Sequence, residues 1–192
     1  MQRAALCQLD GDEKGALDHM KRAVEIYPSY VAAWNNIGTH YHLKGDYERA
    51  VRNFTKAIEL DADFAVGWIN LAGSLLASGK FKDAVEAGKK GLNLGASDAV
   101  ANSQLAMSHY YLRDFRQAEK HFQRVLELDP AFSPAPQLYL AQIAVAEKSW
   151  TDAVRYFQSY LAIHPNAPDA DQIKRMLAIS MENAANRLRY PS

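Results

Sequence analysis

Two histidines that lie close together, His40 and His42, could bind a metal, because imidazole nitrogens are common zinc ligands. In a helix, residues two positions apart point to directions about 200° apart around the axis. A zinc pair on one helix needs a spacing of four residues instead. We therefore predict no metal site here. His40 is expected to pack between helices or to reach solvent, and His42 to face a different surface.

Covalent and acid–base catalysis have no recognisable residues in this chain. The sequence suggests no Cys–His pair, no Ser–His–acid set and no glycine-rich phosphate loop after a strand. The single cysteine, Cys7, excludes a disulfide within the chain and fits a reducing compartment without proving one. We predict no catalytic residue and no cofactor.

Side-chain amides give the one repeated chemical pattern. Asn36, Asn70 and Gln104 follow one another at intervals of 34 residues. An amide offers both a donor and an acceptor, so it can pair with the N–H and C=O groups of an extended peptide without reading its side chains. The alternative is that these amides form hydrogen bonds to a neighbouring helix of the same chain. Both interpretations remain open from the sequence.

The elements that position these amides follow the same period of 34 residues. Trp34 is followed by Trp68, and alanine and glycine recur at the same interval. Such agreement among independent positions indicates a repeat architecture. The positions that keep the period include Ala16, Ala50, Ala84 and Ala118; Gly11, Gly45 and Gly79; and Tyr47, Phe81 and Phe115.

Each period predicts two helices joined by a short turn. In residues 31–64, Trp34, Ile37 and Tyr41 recur at steps of three and four, which is typical of one helix face. Asp46 then stands where an N-cap belongs, with Glu48 in the first turn of the second helix.

These residues resemble the tetratricopeptide repeat. Its pattern of Trp, Leu-Gly, Tyr, Ala, Phe and Ala is met at Trp34, Ile37-Gly38, Tyr41, Ala50, Phe54 and Ala57. Its final Pro is replaced by Ala62 in this repeat, but Pro130 and Pro165 supply it elsewhere. The resemblance implies an all-α, right-handed superhelical solenoid of antiparallel helix pairs, in a single domain over residues 1–190. The expected repeats are 1–30 (partial), 31–64, 65–98, 99–132 and 134–167, followed by a capping helix over 168–190.

The two ends of the expected solenoid differ. The capping helix shows a narrow apolar stripe made of Ile173, Met176, Leu177, Ser180, Ala184 and Leu188. The first repeat is incomplete, which indicates a fragment of a longer array or an end that packs on something else. Self-association through this N-terminal end is one hypothesis.

Two glycines within a predicted helix, Gly88 and Gly91, should each cost about 1 kcal/mol relative to alanine. Close packing of a neighbour would explain them, with Phe115 and Phe122 as candidates. The alternative is a weak point at which the solenoid flexes.

The family resemblance implies that the first helix of each pair lines a concave groove. Asn36, Asn70 and the motifs "WNNIG" and "WINLA" resemble the asparagine ladder in the repeat region of O-GlcNAc transferase. Gln104 is an imperfect third member, and Tyr139 interrupts the series. The candidate peptide-binding residues are Asn35, Asn36, Thr39, His42, Val66, Ile69, Asn70, Gln104, Met107, Tyr110 and Tyr139.

The charge of the chain narrows the class of partner. The formal net charge is zero and the pI is near 7.0, which argues against a nucleic-acid-binding module. Some tetratricopeptide proteins bind acidic chaperone C-termini through a clamp of Lys, Asn and Arg. Here Asn35 and Val100 stand in the places of its two lysines, and Gln104 in that of its Arg. The expected partner is therefore a neutral, partly apolar protein or peptide segment.

The sequence thus predicts a non-catalytic protein–protein interaction scaffold. The alternatives are a substrate-recognition region of a larger enzyme such as a glycosyltransferase, and a purely structural spacer. No apolar run reaches the ~18 residues that a membrane span needs, and the N-terminus lacks the apolar region of a signal peptide. Membrane insertion is therefore not expected, and a cytoplasmic location is slightly favoured.

Overall fold

The computed structural model describes residues 13–96, 98–132 and 135–189. Within these ranges the chain forms ten helices and no strand, which confirms the all-α prediction. The incomplete part of the first repeat, for which self-association was one hypothesis, lies outside the described residues. The helices are α1 (Glu13–Ile26), α2 (Val31–Leu43), α3 (Tyr47–Leu60), α4 (Ala65–Ala77), α5 (Phe81–Asn93), α6 (Ala99–Tyr111), α7 (Phe115–Leu128), α8 (Pro136–Ala146), α9 (Trp150–Ile163) and α10 (Ala170–Arg189).

Aspartates begin several of these helices. The Arg49 backbone N–H donates to Asp46 Oδ1 at 3.1 Å, which confirms the predicted N-cap of α3. Asp98 accepts from the backbone of Ala101 in the same way at the start of α6. A carboxylate at this position satisfies a free N–H group and interacts favourably with the helix dipole.

The turn between the two helices of a repeat requires a left-handed residue. Gly45 and Gly79 both have φ +76°, a region that glycine enters without steric cost. Arg113 and Lys148 occupy the corresponding turns before α7 and α9, with φ of 62° and 59°. The turns before α7 and α9 therefore keep the left-handed conformation although they have no glycine at this position.

The fourth residue of a repeat (Trp34, Trp68 or Gln137) forms a hydrogen bond to the connector that precedes the first helix. Trp34 Nε1 donates to the Pro28 carbonyl at 2.8 Å, and Trp68 Nε1 donates to the Ala62 carbonyl at 2.9 Å. Gln137 keeps this contact by donating from Nε2 to a carbonyl of the connector before α8. The recurring tryptophan is thus a structural residue.

The chain divides into two compact units, Met1–Ser97 and Asp98–Ser192. In the first unit, α2 packs on α3 and α4 packs on α5, while α3 also packs on α4. Phe54 is only 1% exposed, and a Cβ on Gly38 would lie 2.7 Å from its ring. The small residue of one helix therefore makes room for the aromatic ring of the next.

A close approach of the same kind explains Gly91 in α5. A Cβ at this position would lie 2.4 Å from Ile69 Cδ1. The close neighbour expected from the sequence is present, but it is an aliphatic side chain of α4 rather than an aromatic ring.

In the second unit, α6 packs on α7, α8 packs on α9, and α10 packs on α9. Phe122 and Phe157 are buried at the centres of the two hydrophobic clusters. Ile173 and Ser180 of α10 are buried, as the stripe predicted, and Ile173 belongs to the same cluster as Phe157 of α9. Leu188 is 85% exposed, so the buried stripe ends before the C-terminal turn of α10.

Candidate functional site

His40 and His42 lie on different sides of α2. His42 Nδ1 shares a hydrogen bond of 2.8 Å with Ser74 Oγ of α4, whereas the ring of His40 makes an edge contact with Tyr41. Burial lowers the pKa of His42 below its ordinary value of 6.5. His42 therefore stays neutral to a lower pH than an ordinary histidine. Its hydrogen bond joins α2 to α4, the first helices of two successive repeats. No group of three or more candidate metal ligands occurs among the described residues.

Two asparagines pair across the same pair of helices. Asn70 Nδ2 of α4 donates to Asn35 Oδ1 of α2 at 2.9 Å. Thr39 lies beside them, and its hydroxyl donates to the Asn35 carbonyl at 3.1 Å. The amide of Asn70 therefore has its orientation set by a neighbouring helix, which was one of the two alternatives left open by the sequence.

Around this pair, part of the polar surface remains accessible. Asn36 is exposed, Asn70 is half-buried, and Val66, one turn before Asn70 in α4, is exposed. No further hydrogen bond from the Asn36 or Asn70 side chain occurs within the described residues. We call this surface the α2–α4 face; its members are Asn36, Thr39, His42, Val66 and Asn70.

Two residues expected on this surface lie mostly beneath it. Ile69 is 6% exposed because its side chain fills the space that Gly91 leaves in α5. Asn35 is 8% exposed because it supports Asn70 from below. Neither offers a partner much surface, so they correct the predicted set.

A surface cavity of about 410 Å³ opens between α1 and α2. Asn36, Thr39 and His40 line it together with Leu43, which is 78% exposed. Asn36 therefore borders both the α2–α4 face and this cavity.

In the second unit, tyrosines replace the asparagines. Tyr110 of α6 donates its hydroxyl to Gln142 Oε1 of α8 at 2.7 Å. Its ring meets that of Tyr139 edge-on, with centroids 5.3 Å apart, and Tyr139 stacks on Phe122. Tyr111 adds a second edge contact to Tyr110. We call this surface the α6–α8 face; its members are Met107, Tyr110, Tyr111, Tyr139 and Gln142.

Burial raises the pKa of Tyr139 above its ordinary value of 10.0, and the neighbouring Tyr111 and Tyr110 raise it further. The Tyr139 hydroxyl therefore stays protonated to a higher pH than an ordinary tyrosine hydroxyl. Met107 packs against the same cluster from α6.

Gln104, the third amide of the predicted series, is placed differently from Asn36. Its Oε1 is buried and has no hydrogen-bond partner among the described residues. Such an atom normally costs free energy, so Gln104 does not present its carbonyl to a ligand as the exposed Asn36 can.

Sequence reasoning did not identify the side-chain hydrogen bonds of Ser74 and Gln142. Both bind a side chain of the preceding first helix, 32 residues earlier in the chain. A polar residue two positions short of the repeat period is the signal that could have identified them.

No helix in the described part of the chain combines the length and apolarity that crossing a membrane requires.

Family models match two parts of the chain. Residues 31–64 and residues 103–168 each match a model described as tetratricopeptide repeat. No curated protein matches the chain at a significant level.

Several solved structures that are less than 25% identical to this chain show its fold. PilW, a widely conserved type IV pilus biogenesis factor, has a TM-score of 0.79 and 21% identity; the match covers 98% of this chain and 87% of the PilW chain. MamA from Desulfovibrio magneticus RS-1 has a TM-score of 0.78 and 19% identity; the match covers 86% of this chain and 93% of the MamA chain. YrrB, described as a TPR protein with an unusual peptide-binding site, has a TM-score of 0.74 and 19% identity; the match covers 88% of this chain and 84% of the YrrB chain.

Proposed function

Because the chain belongs to the tetratricopeptide repeat family, we propose that it is a non-catalytic scaffold that holds a segment of a partner protein against the first helices of its repeats. The α2–α4 face is the candidate contact surface in the first unit. The observation that carries this proposal is the amide set of Asn35, Asn36 and Asn70.

The Asn35–Asn70 hydrogen bond prepares one amide for binding. Asn70 uses one N–H on Asn35, which fixes its rotamer and leaves Oδ1 as an oriented acceptor. Asn36 contributes a complete amide one residue along α2. Together they can accept from and donate to the backbone of an extended segment, and the fixed Asn70 loses little conformational entropy when it does so.

The charge of the α2–α4 face supports an internal, uncharged segment as the partner. Its five members include no Lys, Arg, Asp or Glu, and the lowered pKa of His42 keeps that imidazole neutral at pH 7. A terminal carboxylate would find no cation to form a charge-assisted hydrogen bond. Val66 supplies apolar contact area beside the amides.

The similar structures support binding in general terms only. YrrB is described by a peptide-binding site and PilW by a role in pilus biogenesis, and both descriptions concern those proteins. The alternative of a substrate-recognition region in a larger enzyme such as a glycosyltransferase rests on a row of equivalent free amides. Asn70 is engaged with Asn35 and Gln104 is partly buried, so this row is less regular here than that alternative needs.

A peptide array tests the proposal. Asn36→Ala removes an exposed amide that holds no other part of the chain, so it should leave the melting temperature unchanged. Asn36→Ala/Asn70→Ala should lose peptides that the wild type retains, provided that circular dichroism shows equal helicity. Asn93→Ala, an exposed asparagine at the end of α5, is the matched control.

The outcomes separate the proposal from its alternatives. Peptides lost by the double variant and kept by Asn93→Ala support the α2–α4 face as a backbone-reading surface. Equal retention of the peptides by the wild type, the double variant and Asn93→Ala refutes this assignment. Retention of every natural partner by the double variant is what a structural spacer predicts.

A further inference from the structure

The α6–α8 face differs from the α2–α4 face in its chemistry. It carries three tyrosines and a glutamine instead of asparagines, and its five members include no Lys, Arg, Asp, Glu or His. Tyr111 is 48% exposed, although it contacts the ring of Tyr110. We propose that this face binds a proline-rich segment of a partner protein in the polyproline II conformation. This rests on the proposed scaffold function and names a class of partner for the second unit.

The aromatic side chains are held in place before any ligand binds. Tyr110 is fixed by its hydrogen bond to Gln142 and by ring contacts with Tyr139 and Phe115. Tyr139 is fixed by stacking on Phe122 at a centroid distance of 5.0 Å and an interplanar angle of 10°. Rigid tyrosines offer large contact areas at a small cost in conformational entropy.

The Gln142 amide suits a ligand group that accepts a hydrogen bond. Gln142 uses Oε1 to accept from Tyr110, and no hydrogen bond from its Nε2 occurs within the described residues. The amide of the exposed Gln142 is thus available as a donor. Proline has no backbone N–H, so a proline-rich segment presents carbonyl oxygens without matching donors.

Shape leads to the same class of partner. A polyproline II helix is extended, has no internal hydrogen bonds and is largely formed before binding, so it docks on aromatic-lined surfaces at a low ordering cost. An amphipathic helix has its backbone carbonyls already bonded, so only its side chains could accept from Gln142. The combination of pre-positioned rings and an available amide donor therefore favours an extended, proline-rich segment.

Titration of the full chain with a labelled oligoproline peptide tests this proposal. A peptide of about ten residues would span roughly 30 Å at 3.1 Å per residue. An uncharged Gly–Ser peptide of equal length is the control ligand. Fluorescence anisotropy should show saturable binding of oligoproline and at least about tenfold weaker binding of the Gly–Ser peptide, because that peptide lacks both the pyrrolidine rings and the preformed extended conformation.

Two variants assign the binding to the α6–α8 face. Tyr111→Ala removes an exposed ring and should weaken oligoproline binding by about tenfold, a size typical of a truncated aromatic anchor. Gln142→Glu keeps an acceptor for the Tyr110 hydroxyl but removes the Nε2 donor, so binding should weaken while the melting temperature stays unchanged. Gln172→Glu, an exposed position in α10, makes the same charge change and should bind as the wild type does.

Three results would overturn the proposal. One is equal affinity for the two peptides, and another is undiminished oligoproline binding by Tyr111→Ala and Gln142→Glu. The third is a wild-type dimer in sedimentation that Tyr111→Ala converts to monomer, which would assign the face to a second copy of the chain. If the array peptides depend on Asn36 and Asn70 while oligoproline does not bind, the scaffold function stands and only this inference fails.

Discussion

Replacing Gly91 with alanine sets two effects of opposite sign against each other. Alanine is favoured over glycine by about 1 kcal/mol within a helix, so the change should stabilise α5. The new Cβ would lie 2.4 Å from Ile69 Cδ1 and 2.9 Å from Ile69 Cγ1. Carbon atoms prefer separations of about 3.5–4.0 Å, so the first contact is more than 1 Å too short.

The cost of this overlap should exceed the helical gain. Inserting a methyl group into a packed core typically costs about 1–3 kcal/mol, and Ile69 is buried on its other sides. Subtracting the propensity term leaves Gly91→Ala destabilised by about 1 kcal/mol. Ile69→Val alone should cost about 0.5–1.5 kcal/mol, because it removes a buried methyl group.

The two changes together should compensate. Ile69→Val removes Cδ1, the atom nearest to the new Cβ, so it should cost almost nothing in the Gly91→Ala background. Urea denaturation followed by circular dichroism would measure the free energy of unfolding, and the double-mutant cycle should give a favourable coupling of about 1 kcal/mol. Ile37→Val, buried in the cluster between α1 and α2, is the control and should add independently. If Gly91→Ala instead raises stability by the full propensity term with either residue at 69, the close approach of α4 to α5 does not constrain this glycine.

Three further predictions follow from the backbone and from the titrating groups. Lys148 has φ 59°, so Lys148→Gly should raise the free energy of unfolding by about 1 kcal/mol. Gly79→Ala should lower it by about the same amount, because Gly79 has φ 76°. Urea denaturation measures both changes, and unchanged stability would contradict the prediction. Burial and the 2.8 Å hydrogen bond to Asp169 raise the pKa of Tyr160 to about 12, so its stabilising contribution is intact below pH 10 and is lost as the pH rises through 12. The difference between the absorbance titrations of the wild type and Tyr160→Phe isolates the titration of Tyr160. A midpoint near 10 in this difference would refute the prediction. Burial lowers the pKa of His42, so the unfolded chain takes up this proton first and stability falls as the pH drops below 6.5; a His42→Gln variant that loses as much stability in acid would be inconsistent with it.

The helices could be predicted because their signals are local. The apolar spacing of each repeat and the N-cap at Asp46 depend on residues within one or two helical turns, and the structure confirms both. The turns were only partly predictable, since Gly45 and Gly79 mark a left-handed residue directly. Arg113 and Lys148 adopt the same conformation against their own preference, because the packing of the helices on either side imposes it.

The candidate sites were less predictable, because the role of an amide depends on what faces it across the helix interface. Asn36 and Asn70 are equivalent in the repeat, yet only Asn70 meets another asparagine, because Asn35 lies 35 residues before it on the neighbouring helix. The repeat period predicts the position of each side chain on its helix, but it does not predict the hydrogen-bond partner of the side chain's polar atoms.

The same reasoning explains why the two faces can differ while the fold is unchanged. The residues that set the repeat, such as Ala50 and Phe54, pack between helices and leave the outer positions of the first helices free to vary. In the first unit these positions carry amides joined by Asn70 to Asn35, and in the second they carry tyrosines joined by Tyr110 to Gln142. Each bond links consecutive first helices and orients the exposed groups beside it. A substitution that keeps the link but alters the exposed atom should therefore change binding without changing stability, which is the property that Gln142→Glu is designed to isolate.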